Sequence, residues 1–350
     1  MRRLFMWVIV LLALLAPGAA QAQISVDGRA ASLTLGGRLH TQYQASSVDG
    51  AVSDFFIRRA RFLVDADFTE FVTARVQSDF AGGGASLLDA YIRLNFDPSF
   101  RLYMGQFKRS FDIFYLDSST DLSIFERDGR IPGLSTCGGV GRICSYGQFT
   151  DALDYADRDT GIKIDGTAGT FLYQASLTNG TGVGVSDEND GKSIALRGGV
   201  AVTEELVLSG NLGVHDYVVE DDTEQAVAWS ADAQWGTWRD GLLVQAALVS
   251  GDNWRLLDAS DDPRRFLAFQ AMGSFYSPLD GDRLEAVEPL FRVSFGDPAR
   301  ALDDDGGTLV TPGIMFYFMG KNKIGANLDY YIPDTGDSEF VFRTGAFLYF

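Results

Sequence analysis

Apolar and polar residues alternate along most of this chain, in short segments separated by turn residues, from about Leu33 to the terminal Phe350. A period of two puts successive side chains on opposite faces of a β-strand; a helix would repeat at about 3.6. Sixteen segments carry the pattern. They are Leu33–Ala45, Asp54–Ala66, Glu70–Phe80, Ser86–Phe96, Phe100–Lys108, Arg158–Gly166, Thr170–Thr178 and Lys192–Val202. The remainder are Glu205–Asp216, Gln225–Trp238, Gly241–Ser250, Arg265–Ser277, Ala286–Gly296, Thr308–Met319, Lys323–Ile332 and Ser338–Phe350. Most have the roughly 9–11 residues that a tilted strand uses to cross a bilayer. The last is the clearest: Phe340, Phe342, Thr344, Ala346, Leu348 and Phe350 share one face.

The connections alternate as well. Even-numbered ones are mostly tight, such as Asp67-Phe68-Thr69, Asp97-Pro98-Ser99, Thr203-Glu204, Arg239-Asp240 and Gly320-Lys321-Asn322. Odd-numbered ones are mostly longer and acidic: Asn179–Gly191, Tyr217–Glu224, Gly251–Arg264 and Asp297–Gly307. Pro278–Glu285 is the exception. Short periplasmic turns, long external loops and an even strand count that returns both termini to the periplasm describe a bacterial barrel. The pattern predicts an all-β fold, a transmembrane antiparallel β-barrel of about 16 strands.

The first residues supply a matching address. Arg2 and Arg3 precede the apolar run Leu4–Leu15, and Pro17-Gly18 breaks the segment before Ala20-Gln21-Ala22. This reads as a signal peptide of residues 1–22, cut after Ala22, with 23–350 as one barrel domain in the bacterial outer membrane. The run is shorter than the roughly 20 residues of a spanning helix. Outer-membrane lipid and lipopolysaccharide are then the expected surroundings. A formal net charge of −18 argues against a nucleic-acid partner. Cys137 and Cys144, in a Gly-rich loop bound for an oxidising compartment, are expected to close a small disulfide rather than hold a metal.

The longest interruption, residues 109–157, follows the fifth strand. A loop of this length inside a compact domain implies a function. Folded into a wide barrel it would narrow the lumen. Phe111, Phe114, Tyr115, Phe125, Tyr146 and Phe149 would pack on the wall, and Arg109, Asp112, Asp117, Asp121, Glu126, Arg127, Asp128 and Arg130 would face the passage. The alternative is an external flap pinned by the disulfide.

Strand phase sorts the early arginines. Leu33, Leu35, Leu39 and Tyr43 outward put Arg38, His40, Gln42 and Gln44 in the lumen. Phe56, Phe62 and Val64 outward put Arg59 and Arg61 inside, beside Asp65. Val72, Ala74 and Val76 outward put Arg75, Gln77 and Asp79 inside. Leu88, Ile92 and Leu94 outward put Asp89, Tyr91, Arg93 and Asn95 inside. An arginine facing lipid at mid-depth costs about 2–4 kcal/mol, which reinforces the assignment. Arg58 breaks the phase, so it lies at an interface or marks a bulge. The arginines either set a field for permeating ions or are neutralised by Asp65, Asp67, Asp79 and Asp89 into a packed polar wall.

Catalytic constellations are thin. The only histidines, His40 and His215, lie on distant strands, and no nucleophile elbow, P-loop or zinc spacing occurs. Acidic runs such as Asp187-Glu188-Asn189-Asp190 and Asp303-Asp304-Asp305 read as solvated loops. Neither a catalytic site nor a cofactor is expected, although a barrel lipid hydrolase and a plugged barrel stand as alternatives from other classes.

Phe56-Ile57-Arg58-Arg59-Ala60-Arg61-Phe62, Asp89-Ala90-Tyr91-Ile92 and Gly105-Gln106-Phe107-Lys108 resemble the phosphate-selective porin O and P family. So do Ser118-Ser119-Thr120-Asp121-Leu122 with Phe125-Glu126-Arg127, the stretch Gly313–Phe318 and the aromatic terminal strand. The resemblance implies a sixteen-stranded porin, usually a homotrimer, passing small hydrophilic solutes, anions such as phosphate among them. It further implies pore-lining Arg59, Arg61, Arg75 and Arg93, and Lys108, Glu126 and Arg127 at the constriction. The terminal strand resembles the assembly signal of outer-membrane barrels, with Phe350 read by the barrel-assembly machinery. One departure is that residues 112–130 carry five acids against Arg127 and Arg130. A general or cation-leaning channel is therefore the competing reading.

Overall fold

The structure, a computed structural model, describes residues 24–27, 32–187, 189–219 and 222–350; the expected signal peptide lies outside them. Seventeen strands follow in order: β1 Ile24–Asp27, β2 Ser32–Ser46, β3 Asp54–Asp67, β4 Val72–Asp79, β5 Ser86–Asp97 and β6 Phe100–Lys108. After the long loop come β7 Arg158–Ala168, β8 Phe171–Thr178, β9 Ser193–Ala201, β10 Leu206–Val219, β11 Asp222–Thr237 and β12 Asp240–Leu257. The last are β13 Pro263–Pro278, β14 Ala286–Asp297, β15 Gly307–Met319, β16 Asn322–Pro333 and β17 Glu339–Tyr349. From β2 to β17 each strand pairs antiparallel with the next, and β17 pairs back onto β2, so sixteen strands close a barrel. Closure gives each of these sixteen strands a neighbour on both sides, which a strand in lipid requires because no water is there to satisfy a bare edge.

All sixteen expected segments are strands, and Phe100–Lys108 has the bounds read from the sequence. The main difference lies on the external side. β12 runs on to Leu257 and β13 starts at Pro263, absorbing most of the loop expected at Gly251–Arg264. The register Asp252↔Arg265 and Asn253↔Arg264 keeps the ladder going, and Arg265 donates to Asp252 at 2.7 Å. Likewise β10 and β11 leave only residues 220–221 between them.

The outward positions make an apolar belt that includes Ile92, Leu212, Trp229, Phe269, Phe291, Ile324, Phe342 and Leu348, all exposed. So much exposed apolar surface on a monomer is unfavourable in water and fits a hydrocarbon surround. Two bulges correct the expected phase. His40 pairs with Arg59 and Thr41 with Ile57, so Arg58 is the extra residue of a β-bulge. Beyond it Phe55 and Ile57 face out, at 83% and 52% exposure, and Phe56 does not, contrary to expectation. Similarly Gln77 pairs with Asp89 and Ser78 with Leu87, which makes Leu88 a bulge residue and turns Leu87 outward.

The seam between first and last barrel strands ends on Phe350. Its carbonyl accepts from Gly37 N at 2.8 Å and its own N–H donates to Gly37 O at 3.2 Å. A Cβ on Gly37 would run into the Phe350 ring, so the glycine is the ring's seat. Beyond Phe350, β1 takes over the same slot beside β2, with Ile24↔Leu35 and Asp27↔Ser32. Replacing Gly37 with valine is expected to lower the amount of assembled barrel as severely as deleting Phe350. Heat-modifiable migration of outer-membrane fractions measures this, and an undiminished folded band for both variants would contradict the seam assignment.

Candidate pore constriction

Residues 109–157 leave β6 at Lys108 and rejoin at Arg158, its register partner in β7. The loop carries two short helices, α1 (Ile113–Leu116) and α2 (Tyr146–Ala152). Asp112 caps α1 by accepting from Phe114 N at 3.0 Å, and Ser145 caps α2 by accepting from Gln148 N at 3.3 Å. The loop lies in the lumen, against the inner face of β10 to β17. Phe149 stacks on Phe266 with ring centroids 5.0 Å apart, and Phe125 meets Phe347 at 5.0 Å. Tyr146 N donates to Ser294 Oγ at 2.9 Å, and Trp254 Nε1 to Leu153 O at 3.0 Å. Gly213 makes room for Phe111 and Tyr155, whose rings stand 3.1–3.3 Å from where a Cβ would be. The loop aromatics thus form a buried core inside the barrel.

The wall also grips the loop backbone. Arg292 donates to the carbonyls of Glu126 and Arg127 at 3.0 and 2.9 Å, Arg343 donates to that of Arg130, and Lys323 to that of Leu122. Asp329 accepts from both Arg292 and Arg343, and all three side chains are fully buried. A buried charge is tolerable only when paired and hydrogen-bonded, and here two guanidiniums share one carboxylate.

Between the loop and the inner face of β2 to β8 remains a cavity of about 500 Å³. Arg38, Arg59, Arg61 and Arg75 line it, together with Lys108, Asp112, Glu126, Arg127 and Arg130. Four expected residues do not reach it: Arg93, Arg109, Asp117 and Asp121. Arg93 lies below, donating to Thr73 Oγ1 at 3.1 Å with its guanidinium 5.9 Å from the Tyr103 ring centre. Arg109 is buried against Asp159 at 2.6 Å, and Asp121 pairs with Lys321 at 2.7 Å.

The arginines divide by partner. Arg61 pairs with Asp79 at 2.6 Å, Arg75 with Asp65 at 2.7 Å and Arg158 with Asp89 at 2.7 Å. Of the acids expected to neutralise the wall, Asp67 does not take part; the other three do. Arg58, turned inward by its bulge, makes a bidentate pair with Glu126 at 2.5 and 2.8 Å. A second group of lining cations has no ion pair among the described residues. Arg38 donates to the Ser119 hydroxyl at 2.5 Å, and Arg59 approaches His40 Nδ1 at 3.3 Å. Lys108 donates to three carbonyls at the end of α1, and Arg127 to those of Phe114 and Asp117. Lys163 stands 4.3 Å from the Tyr103 ring centre.

The loop acids, five against two in sequence, are largely consumed. Asp117 accepts from Gln245 at 2.9 Å and Asp128 from Arg142 at 2.5 Å. Burial alone would raise the Glu126 carboxyl, but Arg58, with Arg130 and Arg59, holds it well below the usual carboxylate range. Burial pushes Asp112 up to about 6. Asp151, on α2 and lining the cavity, is pushed up to about 7 by burial and by the carboxylates of Asp157 and Asp128.

Sequence reading missed four lining cations: Arg58, Arg142, Arg158 and Lys163. Lys163 was legible, since Ile162 and Ile164 outward turn it inward. Arg58 required the bulge, and Arg142 and Arg158 depend on how the loop folds back. His215 does meet a serine and an aspartate, with Ser193 Oγ 3.3 Å from its Nδ1. However, Ser193 donates to Asp216, the histidine also faces Arg109, and all of them are buried in the wall. The orientation needed to activate a nucleophile is missing.

The sequence pattern of the phosphate-selective porin O and P family matches residues 33–228. Among solved structures, the fold is similar to an anion-selective porin from Comamonas acidovorans, with TM-score 0.65, 14% identity, and 91% of this chain and 100% of that one covered. It is also similar to OmpT, an outer membrane protein of Vibrio cholerae in trimer form, at TM-score 0.63 and 15% identity, covering 92% and 100%. The outer membrane channel DcaP of Acinetobacter baumannii aligns at TM-score 0.62 and 13% identity, covering 96% and 100%. No curated protein matches the chain.

Two measurements probe the loop and its charges. Asp329→Asn leaves two buried guanidiniums without their carboxylate and is expected to destabilise the folded barrel by about 3–5 kcal/mol, read as a lower denaturant midpoint. Asp151 ionises as pH rises through about 7, adding negative charge to the cavity. The reversal potential in asymmetric salt should therefore lie further to the anionic side at pH 6 than at pH 8. Asp151→Asn should remove most of that difference.

Proposed function

The chain belongs to the phosphate-selective porin O and P family, and from that premise we propose that it is an anion-preferring diffusion channel. As a porin of the outer membrane it passes solutes through a barrel without turnover. The carrying observation is the imbalance inside the cavity: Arg38, Arg59, Lys108, Arg127 and Lys163 have only neutral partners among the described residues, while Glu126, Asp128 and Asp89 are each held by an arginine. A low-dielectric wall focuses such uncancelled charge onto the permeating ion. The solutes are small hydrophilic anions, phosphate among them. Residues 109–157 set the width and charge of the passage, and no side chain acts as a catalyst.

Further expectations follow from this reading. Residues 1–22 are removed on export, residues 23–350 form the functional unit, and Phe350 presents the terminal strand to the barrel-assembly machinery. Lipid and lipopolysaccharide contact the belt. A homotrimer is supported by likeness to a barrel solved in trimer form.

Single-channel recording in a planar bilayer tests the proposal. Asymmetric potassium chloride should give an anionic reversal potential, and Arg38→Gln with Arg59→Gln should move it toward the cationic side. Arg93→Gln, outside the cavity, should move it far less. A cationic reversal in the unaltered protein would reject anion preference while leaving the channel, and folded protein without conductance would reject the channel.

A further inference from the structure

The disulfide between Cys137 and Cys144 closes a small subloop at the outer end of the lumen. Its neighbours fix that position. Gly133 packs on Val48 and Ala51 of the external β2–β3 connection. Gly138 lies against Leu256 of β12 and Pro298 of the β14–β15 connection. Cys144 N donates to the Tyr331 hydroxyl at 3.2 Å. The subloop therefore sits at the outer mouth against β12 to β16, and the chain leading into it passes the β2–β3 connection.

One side chain returns from it to the passage. Arg142 lines the cavity and donates to Asp128 Oδ2 at 2.5 Å. Its backbone is left-handed, with φ of 55°, a conformation that non-glycine residues adopt only when their surroundings impose it. Here the surroundings are the subloop itself. The Arg142 carbonyl accepts from Thr136 N and Cys137 N at 2.8 and 3.1 Å, and Arg142 N donates to Ser135 Oγ at 3.3 Å. Gly141 N closes the turn on the Cys137 carbonyl at 2.9 Å. With glycine at positions 138, 139 and 141, the segment has little intrinsic preference for this shape.

We propose that Arg142 determines selectivity at the outer entrance of the passage and that the Cys137–Cys144 disulfide holds it there, making ion preference redox-dependent. Arg142 covers Asp128, and Asp151 stands close by on α2; without the guanidinium both carboxyls face incoming ions uncompensated. In the oxidising exterior the bond is closed. A dithiol opens it by two exchanges: its thiolate attacks one sulfur and expels the other cysteine as thiolate, and its second thiol then releases the first cysteine. Two protein thiols and one cyclic disulfide result. The freed glycine-rich segment regains conformational entropy, and Arg142 leaves its left-handed seat.

The inference rests on the channel reading above, and its test separates the two. Reversal potentials in asymmetric potassium chloride are recorded for the full-length assembled channel, before and after dithiothreitol, with free thiols titrated on the same samples. Reduced wild type should shift toward the cationic side. Arg142→Gln should show that shift without reductant and respond little to it. Cys137→Ser with Cys144→Ser should resemble reduced wild type and ignore the dithiol. A wild-type reversal potential in Arg142→Gln overturns the selectivity role. An unshifted double-serine channel, or a bond that stays closed in the assembled channel under dithiothreitol, overturns the redox dependence. Should the double-serine variant fail to assemble, reduction of preassembled wild type decides alone. If wild type itself prefers cations, the anion reading fails, whereas the Arg142→Gln shift relative to wild type still measures this residue's part.

Discussion

The rest of the lumen depends on how the barrel wall holds a loop without using up the loop's charges. Arg292, Arg343 and Lys323 donate to backbone carbonyls of residues 122–130, and Asp329 balances the two arginines from behind. A carbonyl is an obligatory acceptor that must be satisfied somewhere once buried. Satisfying it from the wall leaves the loop side chains free to point the other way. Glu126 shows the result: its carbonyl is fixed by Arg292 while its carboxylate crosses to Arg58.

The division between paired and uncancelled cations has the same origin. β3 to β5 supply arginines with aspartates in register or one strand away, as with Arg75 opposite Asp65, and these neutralise locally. Lys108 and Arg127 instead meet the carbonyls at the end of α1, which orient a cation without cancelling its charge. The uncancelled cations Arg38, Arg59, Lys108 and Lys163 come from the strands, and the loop adds Arg127 while spending Glu126 on Arg58 and Asp128 on Arg142.

The fold was legible in the sequence because lipid and lumen impose a period of two on every strand, and the chain obeys it from Leu33 to Phe350. What failed was local. Phase was lost at Phe56 and Leu88, where a bulge inserts one residue; Arg58 broke the pattern visibly, whereas nothing in the composition announces the bulge at Leu88. The site was legible for Arg38, Arg59, Arg61 and Arg75, whose positions follow from strand phase. It was illegible for Arg142 and Arg158, and Arg109, Asp117 and Asp121 lie away from the cavity they were expected to face, because no periodicity governs a loop. Counting the loop's acids also misled, as hydrogen bonds and ion pairs decide which charges remain active.

The seam has a kinetic side. Among the described barrel strands, β2 and β17 alone find a partner at the opposite end of the chain rather than next in sequence, and β1 shares the same flank of β2. Until β17 arrives, β2 is an open edge from Arg38 to Ser46, carrying Leu39 and Tyr43, a template for wrong pairing. β3 to β16 each gain a partner from a sequence neighbour, and every one of those pairings leaves the β2 flank as it was, so the sheet keeps its most hazardous edge until the last strand docks.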